Sequence, residues 1–107
     1  MKAIYVAGPM RGYPEYNFPA FHRASTKLRS EGWLVRSPAE ADLEQDGFDC
    51  KTGSNIRTMR HYLKRDTDMI LHCDAIYMLR GWENSKGATL EKLMAEYIGA
   101  EVLYEGA

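Results

Sequence analysis

The sequence predicts a three-layer α/β domain: a parallel sheet of about four to five strands in the order 2-1-3-4, with helices on both faces. Short apolar runs suited to strands alternate with segments whose apolar residues recur at helical spacing. Ala75–Leu79 carries almost no charge, as expected of a strand buried on both faces of a parallel sheet. Two glycine-bearing turns follow the first and third strands, at Gly8-Pro-Met-Arg-Gly12 and Gly81-Trp-Glu-Asn-Ser-Lys-Gly87. Alternating strands and helices joined by right-handed crossovers leave 2-1-3-4 as the economical order. The first and third strands are then neighbours whose connections depart in opposite directions. Ligands in such sheets bind beyond the strand carboxyl ends at that switch point, where both glycine turns are expected to meet.

In chain order, Ala3–Ala7 is the first strand, stopped by two glycines and a proline. Asn17 and Pro19 read as the N-cap and first turn of a helix. Phe18, Phe21, Ala24 and Leu28 form its apolar stripe, and Gly32 ends it. Trp33–Arg36 is the second strand, closed by Ser37-Pro38. From Ala39 to Gly53 the pattern is weak and acidic, with Glu40, Asp42, Glu44, Asp46 and Asp49 against a single Lys51. A short helix around Ala39–Leu43 is compatible with it. The whole stretch reads either as a flap near the crevice or as a solvated, mobile insertion. Ser54 or Asn55 is expected to cap a helix running to about Leu71, with Met59, Leu63 and Ile70 on its buried stripe. After the third strand a helix is expected from Ala88, with Leu90, Leu93, Met94, Tyr97 and Ile98 at apolar positions and Gly99 as the stop. Glu101–Tyr104 is the last strand. The result is a single flavodoxin- or Rossmann-like domain over residues 1–107.

Composition excludes several classes. At 107 residues, 45% hydrophobic and 27% charged, the chain fits one ordinary globular core. A formal net charge of −1 gives no general attraction to a nucleic-acid polymer or an anionic membrane. No apolar run approaches the roughly 20 residues that span a bilayer, and the start has no signal-peptide pattern. Cys50 and Cys73, lacking CxxC spacing, suggest free thiols in a reducing cytoplasm. His22, His61 and His72 share no ligand spacing, so no metal site is expected.

Two acidic residues carry the chemical signal. Glu91 falls in the first turns of the last helix, where backbone N–H groups and the helix dipole favour an ionised carboxylate. That location suits a nucleophile, although many acids there only cap helices. Asp66 occupies a core-facing position of the preceding helix, which is unfavourable unless it is paired, hydrogen-bonded or lining a cavity. Two carboxylates on two helices are a workable pair for glycosyl transfer, one attacking the anomeric carbon and the other assisting departure. The Gly8–Gly12 turn is neither a P-loop nor GxGxxG, but with Arg11 it can cradle a phosphate or sugar. Ser85 or Asn84 suits an N-cap, Gly87 permits close ligand approach to the helix start, and Trp82 can stack on a base.

Taken together, Ile4–Gly12, Asp66, Asp74 and Ser85-x-Gly87-x-x-x-Glu91 resemble the nucleoside 2-deoxyribosyltransferase superfamily. That group includes the deoxynucleoside 5′-monophosphate N-glycosidases and small phage and bacterial proteins. The resemblance covers nearly the whole chain, with Ala39–Gly53 matching only loosely. It implies that Glu91 attacks C1′ of deoxyribose, that Tyr5 hydrogen-bonds and orients Glu91, and that Asp66 assists departure of the base. Transferases of the group commonly carry an aspartate at the position of Ser85. A serine there resembles the N-glycosidase branch, where it helps to bind the 5′-phosphate. Met10, Arg11 and Gly12 look like that branch's phosphate loop, with Gly8 before it, although Pro9 stands where the branch tends to have serine. The resemblance further implies a small nucleoside or nucleotide substrate, no cofactor, and a homo-oligomer.

Overall fold

The computed structural model describes residues 2–107 as one parallel sheet with helices on both faces. The elements are β1 (Ala3–Ala7), α1 (Phe18–Ser30), β2 (Leu34–Arg36), α2 (Pro38–Asp46), α3 (Met59–Leu71), β3 (Ala75–Met78), α4 (Lys86–Tyr97) and β4 (Glu101–Tyr104). The strand order is β2-β1-β3-β4 and every pairing is parallel, with Tyr5 opposite Arg36 on one side and Ile76 on the other. Every residue of β1 and β3 is buried, as their uninterrupted apolar runs require.

Alternation along β1 sorts the core into two layers. Ile4 and Val6 pack with Phe18, Phe21, Leu28, Val35 and Phe48 beneath α1 and α2. Tyr5 and Ala7 face the other way, with Ile70, Ile76, Met78, Ala88 and Ala95 beneath α3 and α4. None of the helices is long and apolar enough to cross a membrane among the described residues.

Expectations for three segments are corrected. The acidic stretch is not a solvated, mobile insertion, and the short helix compatible with Ala39–Leu43 is present in a longer form. It forms α2, whose Ala39, Ala41 and Asp42 are buried, and Phe48 then enters the core against Tyr16 and Phe18. Its few apolar residues suffice because Phe48 anchors the segment after Gly47 turns the chain at φ 64°.

The helix expected from Ser54 or Asn55 starts at Met59, capped by Thr58, whose hydroxyl accepts from the His61 N–H at 3.2 Å. Met59 and Leu63 are exposed, so its inward positions are Asp66 and Ile70. In α4, similarly, Leu90, Leu93, Tyr97 and Ile98 point outward, and Tyr97 is 93% exposed. The inward row is Ala88, Glu91 and Ala95 at i, i+3 and i+7. Small alanines let the helix lie close to the sheet, a preference that hydrophobicity alone does not reveal. α4 ends as expected: Gly99 takes φ 83°, and the Ala100 N–H donates to the Ala95 carbonyl at 2.9 Å.

Candidate active site

Tyr5 is fully buried, so its hydroxyl needs a partner inside the protein. It donates to Glu91 Oε2 at 2.7 Å, joining the centre of β1 to α4. Burial first, and then the nearby Glu91 and Asp66 charges, hold the Tyr5 hydroxyl well above its usual pKa. It therefore remains a neutral donor.

Glu91 reaches this place by sharing a face with Ala88 and Ala95, although some of its surface stays open to solvent. Burial pushes its pKa up to about 8, and the Asp66 charge adds to the rise. The Tyr5 hydrogen bond and the Arg65 charge oppose it. This corrects the expectation that the helix dipole keeps Glu91 ionised. α4 begins at Lys86, so Glu91 is its sixth residue, past the unpaired amides of the first turn. A dipole contribution of about 0.3–1 kcal/mol, fading within that turn, is outweighed by loss of hydration.

Asp66 is buried beside Arg65, which sequence reasoning missed. Arg65 Nε and Nη2 both approach Asp66 Oδ1, at 2.9 and 2.8 Å. The same guanidinium lies 2.7 Å from Asp42 Oδ1 and 3.1 Å from Asp46 Oδ2, so α2 and α3 are tied through one cation. Its side chain is only 9% exposed, and it also lies 5.3 Å from the Tyr62 ring. Asp46 extends the network outward to His61 at 3.0 Å and, more loosely, to Arg57 at 3.8 Å. Burial raises the Asp66 pKa while Arg65 pulls it down, and burial pushes Asp42 up to about 6. Three carboxyl groups thus crowd one buried guanidinium, and burial favours the protonated forms of Asp42 and Asp66. A trace of this was visible in the sequence: acids at i and i+4, Asp42 and Asp46, and an arginine beside the aspartate on a core-facing position.

The glycine turns meet as expected. A Cβ on Gly81 would fall 2.7 Å from the Tyr13 hydroxyl and 3.4 Å from Pro9 Cγ, so the β1 turn lies directly on the β3 turn. Gly8 has a packing reason of its own, since a Cβ there would meet Leu79 Cβ at 2.7 Å. Asn17 stands at the N-cap of α1 as expected, yet its side chain caps nothing. It donates to the Pro9 carbonyl at 2.9 Å and pins the loop. Glu15, Tyr16 and Asn17 are held in left-handed backbone (φ 53°, 54° and 61°), a strained run that side chains seldom adopt. Met10 packs on the core, while Arg11 and Gly12 are exposed.

Ser85, and not Asn84, is the N-cap of α4, accepting from the Ala88 N–H at 3.1 Å. Its hydroxyl hydrogen is left over. Around Gly87 the space is open, with only Ser85 Oγ within reach of an added Cβ, at 3.9 Å. Trp82 is not brought to the acidic pair. Its ring lies against Tyr104 of β4 and under Lys92, at the margin of the core layer beneath α4. Two surface clefts of about 320 Å³ border the β3–α4 turn, one at Asn84, Thr89 and Leu93 and the other at Arg80, Trp82 and Tyr104. Neither is lined by Tyr5, Asp66 or Glu91.

A family profile described as "Domain of unknown function (DUF4406)" matches residues 2–104. The chain belongs to the DUF4406 family. No curated protein matches this DUF4406 chain in sequence. Among solved structures it is similar to a 2-desoxiribosyltransferase from Leishmania mexicana, with a TM-score of 0.69 and 21% identity. That likeness covers 97% of this chain and 63% of the other, so the DUF4406 domain spans less than two thirds of the neighbour's length. What the two share is the fold. In the DUF4406 domain, the sheet brings a neutral phenol, two carboxyl groups of raised pKa and a buried guanidinium together in one cluster. Such a group can hold a proton, orient a carboxylate and stabilise developing positive charge.

Proposed function

We propose that this domain cleaves the N-glycosidic bond of a (2′-deoxy)nucleoside 5′-monophosphate. The observation that carries the reading is the 2.7 Å bond from buried Tyr5 to Glu91, made beside a second buried acid, Asp66. A Glu91 oxygen forms a bond to C1′ as the C1′–N bond breaks, and the electron pair of that bond leaves with the base. Asp66 gives its proton to the departing nitrogen. Water then attacks C1′, returns a proton to Asp66 and frees Glu91. Tyr5 donates throughout and fixes which Glu91 oxygen is free to attack.

Proton placement follows from the cluster. Before substrate binds, the last proton rests on Glu91, since its pKa is about 8 and Arg65 sits against Asp66. A substrate reverses this preference. Positive charge growing at C1′ favours ionised Glu91, and the base nitrogen offers Asp66 an acceptor for the proton. Proton donation of this kind typically contributes about 10²–10⁴-fold.

The 5′-phosphate is assigned to the β1 and β3 turns: the exposed Arg11, the spare Ser85 hydroxyl hydrogen and the open approach at Gly87 support it. Gly8, Met10 and Gly12 shape that loop. A second copy of the chain is proposed to cover the outward faces of α3 and α4, where Leu63, Leu90, Leu93 and Tyr97 are exposed. The protein is assigned to the reducing cytoplasm, consistent with the free thiols of Cys50 and Cys73.

Exchange of one base for another is the second reading, favoured by the printed name of the structural neighbour. A chromatographic screen of nucleosides and their 5′-monophosphates, with and without an acceptor base, separates the two. Free base and sugar phosphate without acceptor support hydrolysis. A new nucleoside formed only with acceptor supports exchange. Binding without release would leave a sequestering protein and overturn both.

A further inference from the structure

We propose that Arg65 is the positioning residue of the acid: by gripping one oxygen of Asp66 it leaves the other as the atom that hands a proton to the departing base. The inference rests on the reading of Asp66 as the acid of an N-glycosidic-bond centre. It gives Arg65, which that reading uses only as a nearby charge, a geometric role.

The geometry is specific. Nε and Nη2 of Arg65 converge on the same atom, Asp66 Oδ1, at 2.9 and 2.8 Å. A bidentate fork normally spreads over both carboxylate oxygens. Here Nε donates to Oδ1 and Nη2 also makes its close approach to that oxygen, while Oδ2 takes no hydrogen bond from the guanidinium. A carboxylic acid puts its proton on the oxygen that a cation does not hold, so Oδ2 is the exchanging site.

Arg65 is itself fixed on three sides. Nη2 meets Asp42 at 2.7 Å, Nη1 meets Asp46 at 3.1 Å, and Nη2 reaches the Pro38 carbonyl at 3.4 Å. Asp46 is in turn anchored from outside by His61. The groups facing Asp66 are thus Arg65 and, further along, His61 on α3, Asp42 and Asp46 on α2, Tyr5 on β1 and Glu91 on α4. A long side chain packed this tightly loses the rotamers that would let Asp66 swing, and placement of an acid to within a fraction of an ångström governs its usefulness. Two carboxylates from α2 exceed what is needed to neutralise one arginine that already has Asp66, so charge balance alone does not explain the arrangement.

The test compares Arg65→Lys with the wild type on two substrates. Lysine keeps one charge but lacks the planar fork needed to hold Asp66 while bonded to α2. With a natural deoxynucleoside monophosphate, kcat is expected to fall by about 10-fold or more while KM changes less than about 3-fold. With the 4-nitrophenyl 2-deoxyriboside 5-phosphate, whose leaving group needs no proton, kcat is expected to be nearly unchanged. Equal losses on both substrates would overturn the inference, since Arg65 would then act on the nucleophile or the fold.

A second readout needs no activity. In a carboxyl ¹³C titration by NMR, Asp66 is expected to move upward by about one pH unit or more in Arg65→Lys. An unmoved Asp66 overturns the inference even if the wild type releases no base from any substrate, an outcome that would sink only the proposed function. Should Arg65→Lys not fold, Asp46→Asn loosens the same grip from its outer edge. It is expected to show the same substrate split and the same direction of Asp66 movement at smaller size, and no change in either would overturn the inference.

Discussion

Replacing Glu91 by glutamine is expected to stabilise the protein in alkali while abolishing base release. Glu91 is pushed from an ordinary 4.5 to about 8, chiefly by burial. A carboxyl group with a raised folded-state pKa binds its proton more tightly folded than unfolded. Its stabilising effect is therefore complete below about 4.5 and lost as pH rises through about 8. At about 1.4 kcal/mol per pH unit, the interval sets a ceiling near 5 kcal/mol. Partial solvent contact at Glu91 and its bond from Tyr5 screen much of this, leaving about 1–3 kcal/mol. The glutamine side chain cannot ionise, and its amide oxygen still accepts from Tyr5. At pH 9 the Glu91→Gln variant should therefore melt roughly 4–12 °C above the wild type, whereas at pH 4 the two should coincide. Thermal unfolding followed by circular dichroism across pH 4–9 measures the difference. A Tm gap that does not widen with pH, or a variant less stable at pH 9, would refute the burial of ionised Glu91 as the dominant effect.

The same proton governs activity: kcat/KM should fall above about pH 8 as the acid pair loses its last proton, and fall again in acid as both carboxyl groups fill, measured as a pH–rate profile. Gly8→Ala puts a methyl 2.7 Å from Leu79 Cβ and should cost about 1–3 kcal/mol in urea denaturation, while a neutral effect would show that the strand ends are loose. Gly87→Ala meets open space inside a helix, so it should add up to about 1 kcal/mol of stability. It should also raise KM for a 5′-monophosphate severalfold but leave the free nucleoside unaffected, as steady-state kinetics on both would show.

The two central strands were legible because burial on both faces leaves few residue types to choose from. Ala3–Ala7 and Glu101–Tyr104 appear where expected, and the 2-1-3-4 order follows from crossover handedness. Asp66 was legible for the opposite reason, as an acid at a core-facing position of α3. The apolar faces of α3 and α4 mislead because Met59, Leu63, Leu90 and Leu93 look like core residues, whereas Ile70, two alanines and two acids hold the inward positions. Hydrophobic periodicity finds the greasiest face of a helix, and here that face points outward. The Tyr5–Glu91 contact spans 86 residues and leaves no local pattern; only the family resemblance suggested it. Arg65 left only a trace, its place beside Asp66, because its three acidic partners come from two helices whose packing the sequence does not specify. The protonation state of Glu91 was equally out of reach, because it depends on burial, which the position along the helix does not reveal.

The central claim is that Glu91 is the group that attacks the sugar. Wild-type protein mixed with a deoxynucleoside 5′-monophosphate, quenched in acid within the first turnovers and digested, should yield the Glu91 peptide carrying a sugar-phosphate ester by mass spectrometry. The ester should be absent from Glu91→Gln. Base release at near-wild-type rate by folded Glu91→Gln protein, or an ester on any other residue, would contradict the claim.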